Sequence, residues 1–89
     1  MLTQETEIIN KLGLHARASA KLTKLAGSFP CDVFMSKGER RINAKSIMGV
    51  MMLAASHGTK LVVETDGEDA DAALQAILDL IASRFGESE

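Results

Sequence analysis

Eighty-nine residues hold one modest hydrophobic core and little more, so a single domain over residues 1–89 is expected. The chain is 46% hydrophobic and 25% charged, which excludes a disordered chain, while three Phe without Trp or Tyr remove an aromatic platform for stacking bases. A net charge of -2 argues against a nucleic-acid partner; the single cysteine, Cys31, has no internal disulfide partner, no run is long enough to span a membrane, and no charged-then-apolar leader opens the chain, so a cytoplasmic protein is expected.

Residues 2–9 alternate loosely, with Leu2, Gln4, Thr6 and Ile8 on one face, and predict an opening strand. Residues 10–13 break the pattern, and Gly13 permits a turn that delivers Leu14 and His15 to a strand-to-helix junction. From Ala16 the apolar positions Ala18, Leu22, Leu25, Ala26 and Phe29 recur at helical spacing. Arg17, Lys21 and Lys24 form a basic stripe on another face of that helix, beginning beside His15.

Residues 27–30 end the first helix, with Gly27 expected at its C-terminal cap and Pro30 unable to continue the hydrogen-bond ladder. Residues 31–35 predict a strand, residues 37–39 a tight connection, and residues 40–43 its antiparallel partner. Ser46 suits an N-cap for a short, almost wholly apolar helix over residues 47–55, closed by His57 and Gly58. Residues 59–65 have the β-branched content of a central strand. A final helix follows, with apolar residues from Ala70 to Phe85; Glu68, Asp69 and Asp71 complement its start and Arg84 its end, and residues 86–89 should fray. The order strand, helix, strand, strand, helix, strand, helix predicts an α+β fold, with four antiparallel strands and helices on one face.

The chemistry concentrates at the start of the first helix. First-turn amides have no partners inside a helix and, with the peptide dipoles, attract anions. The positive helix start and Arg17 both disfavour imidazolium at His15, and a neutral imidazole is a nucleophile. A phosphoryl group on that ring would meet the amides of Ala16 and Arg17 and the Arg17 guanidinium. The residues alone leave a second reading open, in which His15 caps the helix or fills a turn and Arg17 is a solvated charge. Met48, Met51 and Met52 suit either a core or an adaptable docking face, and Lys21 and Lys24 either steer acidic partners or are simply solvated. His57 reads as a helix-end residue and Cys31 as buried filling. The two histidines and Cys31 lack the clustered spacing of a zinc site, and no Gly-rich Lys-Ser/Thr loop is present to bind ATP, so no metal or cofactor is expected.

Gly13-Leu14-His15-Ala16-Arg17 with Ala20 and Leu22, together with Ser46-Ile47-Met48-Gly49-Val50-Met51, resembles the histidine-containing phosphocarrier (HPr) family of the bacterial phosphoenolpyruvate-dependent phosphotransferase system. The likeness covers essentially the whole chain. It implies that His15 accepts a phosphoryl group on Nδ1 from phosphorylated Enzyme I, charged by phosphoenolpyruvate, and passes it to a histidine on a IIA-type domain, with no turnover of its own. It also implies an open-faced sandwich of four antiparallel strands under three helices. Ser46 matches the serine that an ATP-dependent HPr kinase/phosphorylase modifies in many members. Lys21, Lys24, Ile47, Met48 and Met51 would form the docking surface, and a transient carrier is most simply a monomer.

Two rival readings remain at this level. One is a mainly regulatory, nitrogen-type relay without sugar transport, favoured by a genome that lacks the system's sugar permeases; the other is a small ligand-binding domain that shares only the architecture. The chain departs from the family at Ala18, where proline usually follows the arginine. Proline in a first helical turn costs little and stiffens the chain, so alanine should leave the helix intact. Ala18→Pro is therefore expected to change the rate of transfer from Enzyme I by less than about tenfold, measured by rapid quench; a larger change would overturn this view of the position.

Overall fold

The computed structural model describes all 89 residues, Met1 to Glu89. Its elements are β1 (Leu2–Glu7), α1 (Ala16–Gly27), β2 (Asp32–Lys37), β3 (Arg40–Asn43), α2 (Ile47–Met52), β4 (Lys60–Asp66) and α3 (Ala70–Ala82), with a 3-10 turn at Arg84–Gly86. The strands form one antiparallel sheet in the order β1-β4-β2-β3, so the fold is α+β.

Alternation along the strands decides which face is covered. On β4, Leu61, Val63 and Thr65 are buried while Val62 and Glu64 are only half-buried. Val63 lies opposite Met35, and both join one cluster of 18 buried residues that includes Ala18, Leu22 and Ala26 of α1, Val50 of α2, and Ala73, Ile77 and Ile81 of α3. The three helices therefore share one face of the sheet. On the other face the Arg41 guanidinium lies 3.9 Å from the Phe34 ring centroid and donates to Glu64 at 3.2 and 3.0 Å.

Several boundaries differ from the expectations, each for a local reason. α1 ends as predicted, but Ser28 rather than Gly27 occupies the cap, its hydroxyl donating to the Leu25 carbonyl at 2.6 Å. β2 begins after Cys31 and extends through Lys37, leaving Gly38, at φ +59°, and Glu39 as a two-residue turn. α2 covers six residues where nine were expected. Ala54 turns out of the helix at φ 51°, and the freed carbonyls of Met52 and Leu53 accept from Arg40 at 2.6 Å and Lys37 at 3.2 Å.

The end of the chain departs furthest. α3 stops at Ala82, so Arg84 lies beyond its last turn, with φ 59°; Phe85, at φ 57°, turns its ring into the core at 1% exposure. Left-handed backbone costs about 1–2 kcal/mol per residue, and burying the Phe85 ring, which contributes about 1.5–3 kcal/mol, offsets much of the cost of Arg84 and Phe85 together. Instead of fraying, the residues beyond it fold back onto the segment before α1: the Lys11 amide donates to the Glu89 carbonyl, and Glu87 reaches Asn10 and His15.

Gly13 sets the entry to α1. It has φ +69°, and a Cβ there would stand 2.6 Å from the Ala55 carbonyl oxygen and 2.8 Å from the Ser56 Cα. Both obstacles are backbone, and the neighbouring Leu14 amide donates to the same Ala55 oxygen at 2.8 Å. Gly13→Ala is expected to destabilise the protein by about 2 kcal/mol or more, read from the urea unfolding midpoint. An unchanged midpoint would show that the two segments can separate freely.

Candidate functional site

His15 is the N-cap residue of α1, with extended backbone at φ -73° and ψ 179°. Most N-caps turn a short polar side chain onto the first-turn amides, but an imidazole is too long to do this easily, and His15 makes no side-chain cap bond. Its carbonyl still accepts from the Ser19 amide at 2.8 Å, and the Ser19 hydroxyl closes the entry by donating to the Leu14 carbonyl at 3.1 Å. The amides of Ala16, Arg17 and Ala18 thus have no backbone acceptor, and no acidic residue stands in the first turn to neutralise them.

The ring is partly buried and makes one hydrogen bond. Its Nε2 meets the Glu87 carboxylate in a short hydrogen bond, whereas Nδ1 has no hydrogen-bond partner in the chain. Asn10, fully buried, donates through Nδ2 to the Gly13 carbonyl at 2.8 Å and to the other Glu87 oxygen at 3.0 Å. Donation from His15 first, and from Asn10 second, holds the Glu87 carboxyl below its ordinary value. His15, Ala16 and Arg17 line an open cleft together with Lys11, Leu12 and the tail residues 87–89. Arg17 is exposed and has no hydrogen bond or ion pair within the chain, so its guanidinium is free to meet an anion in that cleft.

The other predicted residues are distributed around this corner. The Ser46 hydroxyl caps α2 by accepting from the Gly49 amide at 3.1 Å. Ile47, Met48, Met51 and Met52 expose 40, 67, 42 and 59% of their surfaces, which decides between core and outward face for all four. α2 packs against α1, and its C-terminal end adjoins the turn before His15 through Ala55. Ser46 is at the opposite end of α2, roughly 10 Å further along the helix axis. Lys24 is exposed, while Lys21, also exposed, donates to the Phe85 carbonyl at 2.7 Å and so holds the C-terminal turn as well as carrying charge. His57 is exposed in the turn after α2 and Cys31 is buried ahead of β2, so neither enters the His15 corner.

Sequence reasoning missed Asn10 and Glu87. A buried Asn beside a turn glycine is a weak signal, and a Glu in a polar tail is weaker still; neither spacing nor periodicity brings residues 10, 15 and 87 together.

Known proteins share this arrangement of sequence and fold. A family model described as "PTS HPr component phosphorylation site" matches residues 2–83. A phosphocarrier protein HPr from Cupriavidus necator is 63% identical over 89 residues, covering all of both chains. A phosphocarrier protein NPr from Shewanella violacea is 41% identical over 87 residues, 98% of this chain and 96% of that one. The crystal structure of HPr-C-His from Thermoanaerobacter tengcongensis matches with a TM-score of 0.97 and 40% identity over all of both chains. An HPr dimer from the same organism matches at 0.79 and 43% identity over 92% of this chain and 94% of that one. No helix here is long and apolar enough to cross a membrane. With motif, sheet order and full-length likeness in agreement, the chain belongs to the HPr family of phosphocarrier proteins of the phosphotransferase system.

Proposed function

We propose that His15 is the carrier residue, accepting a phosphoryl group from phosphorylated Enzyme I and passing it to a histidine on a IIA-type domain. The observation that carries this reading is the open Nδ1 of a half-buried imidazole set beside three first-turn amides without backbone acceptors. In the transfer the Nδ1 lone pair forms the bond to phosphorus as the donor's bond breaks in line, its electron pair leaving with the donor. The phosphoryl oxygens then meet the amides of Ala16 and Arg17 and the Arg17 guanidinium, so the chain contributes position and charge and no turnover of its own.

The exposed apolar side chains of α2, Ile47, Met48 and Met51, with Lys21 and Lys24 on α1, form the surface that receives both partners. Flexible Met side chains repack against different partners, and the lysines attract acidic ones. The whole chain works as one cytoplasmic domain around one core. It acts as a monomer: a carrier that must fit two partners in turn keeps its docking face open, even though one solved HPr forms a dimer. The closer identity to HPr than to NPr supports sugar uptake as the first reading. The NPr relative keeps a second alive, a regulatory relay whose two phosphorylation states are read by partner proteins.

Ser46 is the regulatory position, modified by an HPr kinase/phosphorylase. A phosphate there adds about two negative charges at one end of the docking helix. It stands at the end of α2 away from the turn before His15, so its effect falls on partners that dock over α2 rather than on the imidazole itself. The Ser46 phosphoserine form is expected to accept phosphate from Enzyme I at least about tenfold more slowly than the unmodified protein, and equal rates would dispose of the regulatory role.

The carrier reading is tested by intact mass after incubation with phosphoenolpyruvate and active Enzyme I. One acid-labile phosphoryl adduct is expected on the wild type and none on His15→Ala. An adduct that survives acid, or that persists in His15→Ala, would place the phosphate on another residue.

A further inference from the structure

We infer that Glu87 is a positioning residue for His15: its carboxylate accepts the Nε2 proton of the ring and keeps the neutral imidazole in the tautomer whose lone pair is on Nδ1. The inference deepens the carrier reading and rests on it for the meaning of that lone pair. Glu87 also lies outside residues 2–83, the part of the chain matched by the family model.

The hydrogen-bond arithmetic leaves one arrangement. An ionised carboxylate has acceptors only, so the proton in the Glu87–His15 contact belongs to Nε2. The carboxylate cannot easily rotate away, because its second oxygen is taken by Asn10 at 3.0 Å. Asn10 in turn cannot flip its amide, since its other N–H is on the Gly13 carbonyl at 2.8 Å and the residue is fully buried. These same donors, His15 first and Asn10 second, hold the Glu87 carboxyl below its ordinary value and so favour its ionised form at neutral pH.

The backbone is shaped to bring the carboxylate there. Arg84, Phe85 and Gly86 adopt φ 59, 57 and 80°, a run of left-handed residues that reverses the chain after α3. Phe85 anchors this reversal in the core, and Lys21 of α1 holds its carbonyl at 2.7 Å. Backbone in sparsely populated conformations persists where the surroundings over-determine it, and here it is aimed at His15.

The chemical consequence follows from keeping the proton still. With Nε2–H held, Nδ1 forms its bond to phosphorus as the donor bond breaks, and the ring becomes a phosphoimidazolium whose positive charge faces the Glu87 carboxylate. On delivery the nitrogen–phosphorus bond breaks, its electron pair returns to Nδ1, and the ring is again neutral with its proton on Nε2. No proton moves in either direction. The opposite tautomer, with the proton on Nδ1, has no lone pair there to attack. A carboxylate that fixes a histidine tautomer in this way is a recurrent device in nucleophilic and metal-binding sites.

The test combines nitrogen NMR of histidine-labelled protein at about pH 8, where imidazole is neutral, with the rate of phosphorylation by Enzyme I. Wild type, Glu87→Ala and Glu87→Gln are compared, with Glu68→Gln, exposed before α3, as a control for the lost charge. His57, exposed in its turn, serves as the internal reference for an unconstrained ring. In the wild type His15 is expected to carry its proton on Nε2 alone, while His57 samples both tautomers. Both Glu87 substitutions should move His15 off that single tautomer and slow phosphorylation by about threefold or more, whereas Glu68→Gln does neither. Wild-type nitrogen shifts in the Glu87 variants, or a change in only one of the two readouts, would overturn the assignment. The tautomer is read without Enzyme I, so a wild-type protein that takes no phosphoryl group would sink the carrier reading and leave this one to the nitrogen shifts.

Discussion

A carboxamide sealed from water ties the functional corner together. Asn10 reaches the turn before α1 through Gly13 and the turn after α3 through Glu87, joining residues 77 positions apart in the chain. Its Oδ1 finds no partner of its own, a cost that an apolar residue would avoid. An apolar residue, however, would leave the Gly13 carbonyl and one Glu87 oxygen without their donor, so the group favours one arrangement over many. His15 is thereby located from both sides: its backbone by the Gly13 turn, its ring by the carboxylate that Asn10 steadies.

How much of this was legible in the sequence depended on the range of the interaction. The helical spacing of Ala18, Leu22 and Ala26, the Ser46 cap and a tight connection around Gly38 are local features, and the structure carries each of them, with Lys37 moved from the connection into the strand. The strand order was not legible, because periodicity shows which face of β4 is buried and not which strands lie beside it. α2 read too long, since an unbroken apolar run gives no signal for the left-handed step at Ala54 that Lys37 and Arg40 stabilise from another hairpin. The tail was misread for the same reason. Polar residues at a chain end usually fray, and only a partner some seventy residues away could keep Glu87 in place.

The two halves of the surface are built to different standards. Around His15 the Glu87 carboxylate, the Asn10 amide nitrogen and the Ser19 hydroxyl have defined partners, and Arg17 stands free where an anion would arrive. On α2 the exposed Met side chains have no partner in the chain and many rotamers. A rigid centre beside an adaptable rim is the arrangement that the proposed carrier role calls for, with constant chemistry and alternating partners. The two regions meet through Ala55, whose carbonyl accepts from the Leu14 amide in the turn that presents His15.

The sheet order also bears on how the molecule assembles. β4 is the strand that pairs with both β1 and β2, and it is the last strand in the sequence. Only the β2–β3 hairpin can form from neighbouring segments; β1 must wait for a partner more than fifty residues downstream. Pairings of such long separation slow folding, because the loop must close before any contact rewards it. On a ribosome, which releases the N-terminus first, β1 emerges unpaired ahead of the β2–β3 hairpin, and the sheet closes only once residue 66 is clear.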